Sequence, residues 1–428
     1  MHTKNVWAHS HLIVCFIILH VLACDVSAYS SESDILQEIE TLKGKTAENE
    51  DLNDTKARLL QLLDVAREED VNLNEEIFAA IDETHKKIME QRPQQQIDRL
   101  TLYRFLKEYS QSMTPAYSFA RLDSRHACQR NAKALRKKII DLLGGFPKRN
   151  PLNAVILETK DFDEYVMEKI MFDPEPGRSV VGYLLMPKNK KTPLPTVVCL
   201  HEHGGEYFKG KDGPVGNVLP ESGLTYARDL AQRGYITLTI DAPCFGERIE
   251  DEGQVDYLAS LIGRPLFGLI VYDDIRSVDY LLTRSEVDKK RIGCIGHSMG
   301  GIRAIFLSGL DERISCGVSL NGFSNMKDVV RHELFYWPPT TYLKGLLPFA
   351  EIEDVVSLSA PRPFLVAVGQ LDDSLPVDDA GPAVEHMRKV YSFYHREKSF
   401  QYLLFKNEGH GFPSLYHNKV YSWIDRWI

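Results

Sequence analysis

The sequence predicts an α/β protein: a mostly parallel, mixed sheet with helices on both faces, preceded by an N-terminal helical region. Three observations carry this. Six short apolar runs (196–200, 235–240, 291–296, 314–320, 363–368 and 400–405) alternate with segments of helical spacing. Such a pattern buries both faces of a parallel sheet. Upstream, runs 165–172 and 179–186 flank Asp173-Pro174-Glu175-Pro176-Gly177. That loop has turn chemistry, so an antiparallel hairpin makes the sheet mixed. Residues 31–90 are acidic, with apolar residues at helical intervals.

Taken in order, residues 12–23 are nearly all apolar, preceded by Lys4 and followed by small side chains. A spanning helix needs roughly 20 apolar residues, so this run suits the h-region of a signal peptide. Val26-Ser27-Ala28 offers the cleavage site, giving a leader over 1–28 and a secreted chain with no stable membrane insertion. Val21-Leu22-Ala23-Cys24 loosely matches a bacterial lipoprotein box, which leaves a lipid anchor on Cys24 as the alternative. Seven cysteines then reduce to five, an odd number that admits at most one disulfide.

A helical region follows over 29–115. Ile35, Ile39 and Leu42 share one face, as do Leu59, Leu63 and, less cleanly, Arg67. Asn53-Asp54-Thr55 matches a glycosylation acceptor, relevant only in a eukaryotic secretory pathway. Residues 91–96, with Pro93 inside, read as a linker. The region is a packing appendage in preference to a partner-binding arm.

The second domain is expected over 116–428. A helix over 132–143 stops at Gly144-Gly145. After the hairpin, helices over 222–233, 270–282, 301–309 and 382–394 separate the strands. Trp423 and Trp427 set a closing helix over 421–428.

Gly296-His297-Ser298-Met299-Gly300 follows a strand and precedes a helix, the setting that gives a G-x-S-x-G string meaning. Small neighbours allow the strained turn that would lift Ser298 above the sheet as a nucleophile. The Met299 N–H is a candidate oxyanion donor. A serine needs a base and the base an orienting acid. His410, in Gly409-His410-Gly411-Phe412 after the last strand, is the candidate base; histidines 332, 386, 395 and 417 read as surface or packing residues. Gly369-Gln370-Leu371-Asp372-Asp373 supplies two acids, with Asp372 preferred over Asp373. The loop His201-Glu202-His203-Gly204-Gly205 offers a second oxyanion donor from His203 or Gly204. His201 and His203 have a spacing seen in metal sites, yet no third ligand stands nearby in the sequence, and no metal is expected. Phe335, Tyr336, Trp337, Pro338 and Pro339 either cap a substrate pocket or fill the insertion that holds them.

These motifs, with Asp241-Ala242-Pro243-Cys244-Phe245-Gly246-Glu247-Arg248, Asp273-Asp274-Ile275-Arg276 and Ala360-Pro361-Arg362-Pro363, make 116–428 resemble the α/β-hydrolase superfamily. The match is nearest its dienelactone-hydrolase-like and acetyl-xylan-esterase-like branch. The resemblance implies Ser298, Asp372 and His410 as nucleophile, acid and base, and 201–205 as the oxyanion loop. Two departures stand out. Glu202 occupies a position where many relatives have glycine, and the dienelactone hydrolases proper use cysteine where this chain has Ser298.

A carboxylic-ester hydrolase acting through an acyl-enzyme is therefore expected, with carbohydrate acetyl esters a substrate class suggested by analogy alone. It would use no cofactor and act on a small-molecule or carbohydrate ester. A serine peptidase is the alternative, although no repeat-built domain precedes the catalytic part. A silent binding protein is a third reading, weakened because all three triad residues are present. A net charge of −9 argues against nucleic acid as a partner.

Overall fold

A computed structural model describes residues 32–48, 51–68, 74–90, 102–188, 190–217, 224–334, 338–376 and 380–428. The expected leader, Cys24, the 91–96 linker and Phe335, Tyr336 and Trp337 lie outside the described residues. The chain divides into two compact units that meet between Phe105 and Leu106.

In the first unit, α1 (Glu32–Ala47), α2 (Leu52–Glu68) and α3 (Asn74–Glu90) share a small core. Ile35, Ile39 and Leu42 of α1 meet Leu59 and Leu62 of α2 and Ile77 and Ala80 of α3. The second unit runs from α4 (Leu102–Ser112), which spans the border, and α5 (Arg125–Leu142) into the sheet. Gly144 and Gly145 end α5 with φ of +87° and +74°, values that only glycine adopts freely.

Strands β1 (Val155–Asp161), β2 (Tyr165–Glu175) and β3 (Arg178–Pro187) form an antiparallel meander. The β2–β3 turn is tighter than expected. Strand pairing continues through a bulge to Glu175 and Arg178, so only Pro176 and Gly177 turn. Proline followed by a glycine at φ +88° is the pairing a type II turn requires. Arg178 and Arg264 both hydrogen-bond Glu175 and hold the strand end down.

Then follow β4 (Leu194–Leu200), α6 (Asp212–Val215), α7 (Tyr226–Arg233), β5 (Ile236–Ile240), α8 (Glu252–Leu261), α9 (Leu266–Leu281) and β6 (Val287–His297). Next come α10 (Met299–Leu310), β7 (Ile314–Leu320), α11 (Met326–Arg331), α12 (Ile352–Ser357), β8 (Phe364–Gly369), α13 (Ala380–Ser392), β9 (Phe400–Phe405) and α14 (Ser414–Trp427). The strands β7 and β9 match their expected bounds. The closing helix starts seven residues earlier than its tryptophans suggest, directly after Pro413, because Tyr416 and Val420 also turn inward.

The nine strands lie in the order β1-β2-β3-β5-β4-β6-β7-β8-β9. Every pair from β5 to β9 is parallel. Alternation along each strand feeds two cores. Val198 and Leu200 face helices α5, α9, α10 and α13, whereas Val197 and Cys199 face α7 and α14. All five cysteines from Cys128 onward are free and buried. No single helix among the described residues is long and apolar enough to cross a membrane.

One topological feature positions the site. The connection from β4 leads to β5 on one side, and β6 lies on the other. In open α/β sheets, the crevice at such a switch point, beyond the carboxyl ends of the strands, is where ligands bind. Leu200 pairs in register with Gly296, so the loops after β4 and β6 leave the sheet side by side.

Candidate active site

Ser298 sits between β6 and α10 with φ +54° and ψ −122°, a strained conformation for a residue with a side chain. The turn closes only because its neighbours lack Cβ atoms. A Cβ on Gly296 would lie 2.2 Å from the Gly300 carbonyl oxygen, and one on Gly300 would lie 2.0 Å from that of Leu200. The Ser298 N–H donates to the Leu320 carbonyl at 2.9 Å, tying the turn to the neighbouring strand end.

The loops after β8 and β9 bring the other two residues in. His410 Nε2 is 2.8 Å from Ser298 Oγ, and His410 Nδ1 is 2.7 Å from Asp372 Oδ2. A carboxylate only accepts, so Nδ1 carries the proton and Nε2 is free to accept from the serine hydroxyl. The other Asp372 oxygen accepts the N–H groups of Ser374 and Leu375 at 3.0 and 2.9 Å, which fixes the carboxylate plane. Asp373 is exposed, and its carboxylate meets the Ser374 hydroxyl at 3.4 Å.

Asn321, at φ +44° just past β7, braces this arrangement, and nothing in the sequence pointed to it. Its Oδ1 accepts the Gly369 N–H at 2.8 Å, and its Nδ2 donates to the Gly411 carbonyl at 2.6 Å. The loops that carry Asp372 and His410 are thus held by one buried side chain. Only a strand–asparagine pattern following β7 could have hinted at it.

These groups open onto a cavity of about 530 Å³ lined by Ser298, His410, Met299, Glu202, His203 and Gly204 among others. Met299 begins α10, so its N–H has no acceptor within the helix. Gly204 and Gly205 have φ of +61° and +70° and leave backbone bare at the mouth. Pro338 lines this cavity, whereas Pro339 lines a neighbouring surface groove.

The two histidines of the 201–205 loop are already occupied. His201 is fully buried; it donates from Nδ1 to the Glu202 carbonyl and accepts the Ala242 N–H at Nε2. Burial, with the positive charge of Arg303, pushes its pKa well below the usual range. His203 bonds to Glu252. Among the described residues, no group of three potential ligands could hold a metal ion.

Glu202 is half-buried, and its Oε2 is closed to solvent with no hydrogen-bond partner among the described residues. Burial pushes its pKa up, against the pull of Lys209 and His410. His297, next to Ser298, is pushed down to about 3, first by burial and then by His410, whose ring centroid is 5.1 Å away. It stays neutral at physiological pH.

The remaining motifs act as braces. Asp241 takes the Lys211 ammonium at 2.7 Å and the Lys211 and Glu247 N–H groups at 2.8 and 3.1 Å. Asp274 pairs with buried Arg303 through both oxygens, at 2.6 and 3.0 Å. Arg303 also reaches the His201 carbonyl.

The fold is that of an α/β-hydrolase. The chain belongs to the Abhydrolase family, whose model matches residues 80–331, more than half its length. The prolyl oligopeptidase family model matches 264–428. The Bacillus subtilis protein YtaP, described only as a hydrolase, is 27% identical over 68% of this chain and 98% of its own. Dipeptidyl-peptidase 5 of Porphyromonas gingivalis is 24% identical over 67% of this chain, but the match spans only 42% of that enzyme. Among solved structures, a Bacteroides fragilis protein provisionally described as an acetyl xylan esterase aligns with a TM-score of 0.62 at 20% identity, over 76% of this chain and 89% of its own. A glucuronoyl esterase from Solibacter usitatus aligns at 0.59 with 15% identity, over 74% and 99%. At these identities the structural likeness is one of fold.

Proposed function

We propose that the chain is a serine carboxylic-ester hydrolase that works through an acyl-enzyme. The observation that carries this is the unbroken relay from Ser298 Oγ through His410 to Asp372, at 2.8 and 2.7 Å. Ser298 attacks the ester carbonyl while His410 Nε2 takes its proton. The oxyanion is met by the Met299 N–H and by an N–H of the His203–Gly204 stretch. His410 returns the proton to the departing alcohol, and water then repeats the sequence in reverse to release the acid. Asp372 keeps His410 in the required tautomer and stabilises its cation.

The substrate in this proposal is a neutral ester of a small acyl group on a small molecule or carbohydrate. Support comes from the acetyl xylan and glucuronoyl esterases among the structures of like fold. The route needs no cofactor, and the acidic charge disfavours nucleic acid as a partner. Secretion, with the mature chain beginning at Tyr29, is part of this reading. Mass spectrometry of the N-terminus tests it: a diacylated Cys24 would instead mean a lipid anchor.

A peptidase is the second reading, favoured by the prolyl oligopeptidase match over 264–428. A panel of acetylated sugars, short p-nitrophenyl esters and chromogenic peptides separates the two, with Ser298→Ala as the control. Ester turnover that vanishes in a folded Ser298→Ala protein supports the proposal. Turnover confined to peptides, or near-normal ester turnover in the variant, overturns it.

A further inference from the structure

Glu252 opens α8, about fifty residues from the loop that flanks the nucleophile, and it is buried. A buried carboxylate is costly unless its lone pairs are filled. Here they are filled by groups of two segments that wall the catalytic cavity. Oε2 accepts from His203 Nε2 at 3.1 Å and from the Tyr207 hydroxyl at 2.9 Å, while Oε1 accepts the Thr340 N–H at 3.1 Å. Burial alone would raise its pKa, yet the bonds from His203, Thr340 and Tyr207 hold it below the usual carboxylate range.

The His203 ring is held from its other side as well. Its Nδ1 accepts the Gly205 N–H at 3.2 Å, which leaves the proton on Nε2, facing Glu252. Phe245 and Tyr207 meet the ring edge-on, with centroids at 5.1 and 5.0 Å. The ring is therefore fixed in position, tautomer and tilt. Gly204, with φ +61°, lies between the residue that owns this ring and the residue that bonds to it. The backbone that flanks the oxyanion position cannot move unless the ring moves. A glycine loop has no side-chain packing of its own to set its path, so an outside anchor supplies it.

We infer that Glu252 is a positioning residue for the oxyanion loop, acting through the His203 ring. It also pins the 339–341 segment to the same loop through Thr340. This inference rests on the serine-hydrolase reading. Oxyanion donors act on the transition state more than on the bound ester, so loosening them lowers kcat and spares KM.

The test is a double-mutant cycle in the full chain, with Glu252→Ala and His203→Ala assayed on p-nitrophenyl acetate. Each single variant is expected to lose at least about tenfold in kcat, below the 10²–10³ that outright removal of a donor costs. KM should stay within about threefold. The double variant should lose no more than the worse single one, because both break the same link. Glu252→Gln replaces Glu252→Ala where the alanine variant does not fold. It keeps the shape of the side chain but cannot accept from all three donors. Losses that multiply in the double variant, or a change in KM alone, overturn the inference. Fluorophosphonate labelling of the wild-type protein separates its failure from that of the broader reading. A labelled Ser298 with multiplying losses sinks only the Glu252 assignment. An unlabelled Ser298 sinks both.

Discussion

Gly369 and Gly409 come so close that a Cβ on Gly369 would lie 2.1 Å from the Gly409 carbonyl oxygen. That contact joins the end of β8, which leads to Asp372, with the loop that presents His410. The Leu371 N–H donates to the Glu408 carbonyl at 2.8 Å across the same junction. Replacing Gly369 by Ala therefore forces backbone against backbone where neither side can rotate away. The expected outcome is a loss of at least about tenfold in kcat, since about 1 Å of misplacement in a catalytic group costs up to a hundredfold. Stability should fall by about 1–3 kcal/mol, as overpacking of a tight site does. Steady-state kinetics and urea unfolding check both.

The two neighbouring aspartates should separate cleanly. Asp372 has one oxygen on His410 and the other on two N–H groups, whereas Asp373 is exposed. Losing the orienting acid of a comparable triad costs on the order of 10⁴ in turnover. Asp372→Asn is expected to lose at least about a hundredfold in kcat by that comparison. Asp373→Asn should lose less than about tenfold, because surface charges contribute little. Measuring kcat of both on one ester decides the matter; a crippled Asp373→Asn would contradict the assignment.

Much of this was legible because the signals are local. The Ser298 elbow is five consecutive residues whose glycines serve a steric need within the same turn. Runs 314–320 and 400–405 are mostly apolar, and their strands end where those runs do. What escaped depends on distant partners or lacks a buried face. Strand β1 is exposed along its whole length at the sheet edge, so no inward stripe marks it. Helix α8 has a weak apolar stripe, with Tyr257, Leu258 and Leu261 facing solvent. Asn321 and Glu252 matter through groups 45 to 90 residues away, and no spacing rule reaches that far.

Lys211 offers a test of the brace behind the 201–205 loop. Its ammonium is buried between Asp241 and Glu247, each at 2.7 Å. Lys211→Met would leave the buried Asp241 carboxylate without that cation, although its two N–H bonds remain. Breaking a buried pair in this way costs about 3–5 kcal/mol, most of it from the charge left behind. Asp241→Asn in the same background should recover part of the loss, because the orphaned charge is then gone. Urea denaturation of the two variants measures this; equal stability of the single and double variants would place the cost elsewhere.

Glu202 lies in the 201–205 loop beside Ser298, and its burial makes a pH-dependent prediction. The ordinary carboxyl value is 4.5, and burial raises that of Glu202 in the folded chain. A group whose folded pKa is raised binds its proton more tightly folded than unfolded. Its stabilising contribution is full below the unfolded value and is lost as pH rises through the folded one. Glutamine is isosteric and carries no charge at any pH, so it escapes this loss. Glu202→Gln should therefore unfold at a higher temperature than wild type at pH 7–8, by on the order of 2 °C if the gain is about 1 kcal/mol. At pH 4 that gain should disappear. Thermal unfolding of both proteins from pH 4 to 8 checks the sign. A gain that is constant with pH would mean that the Glu202 charge carries no cost where it lies.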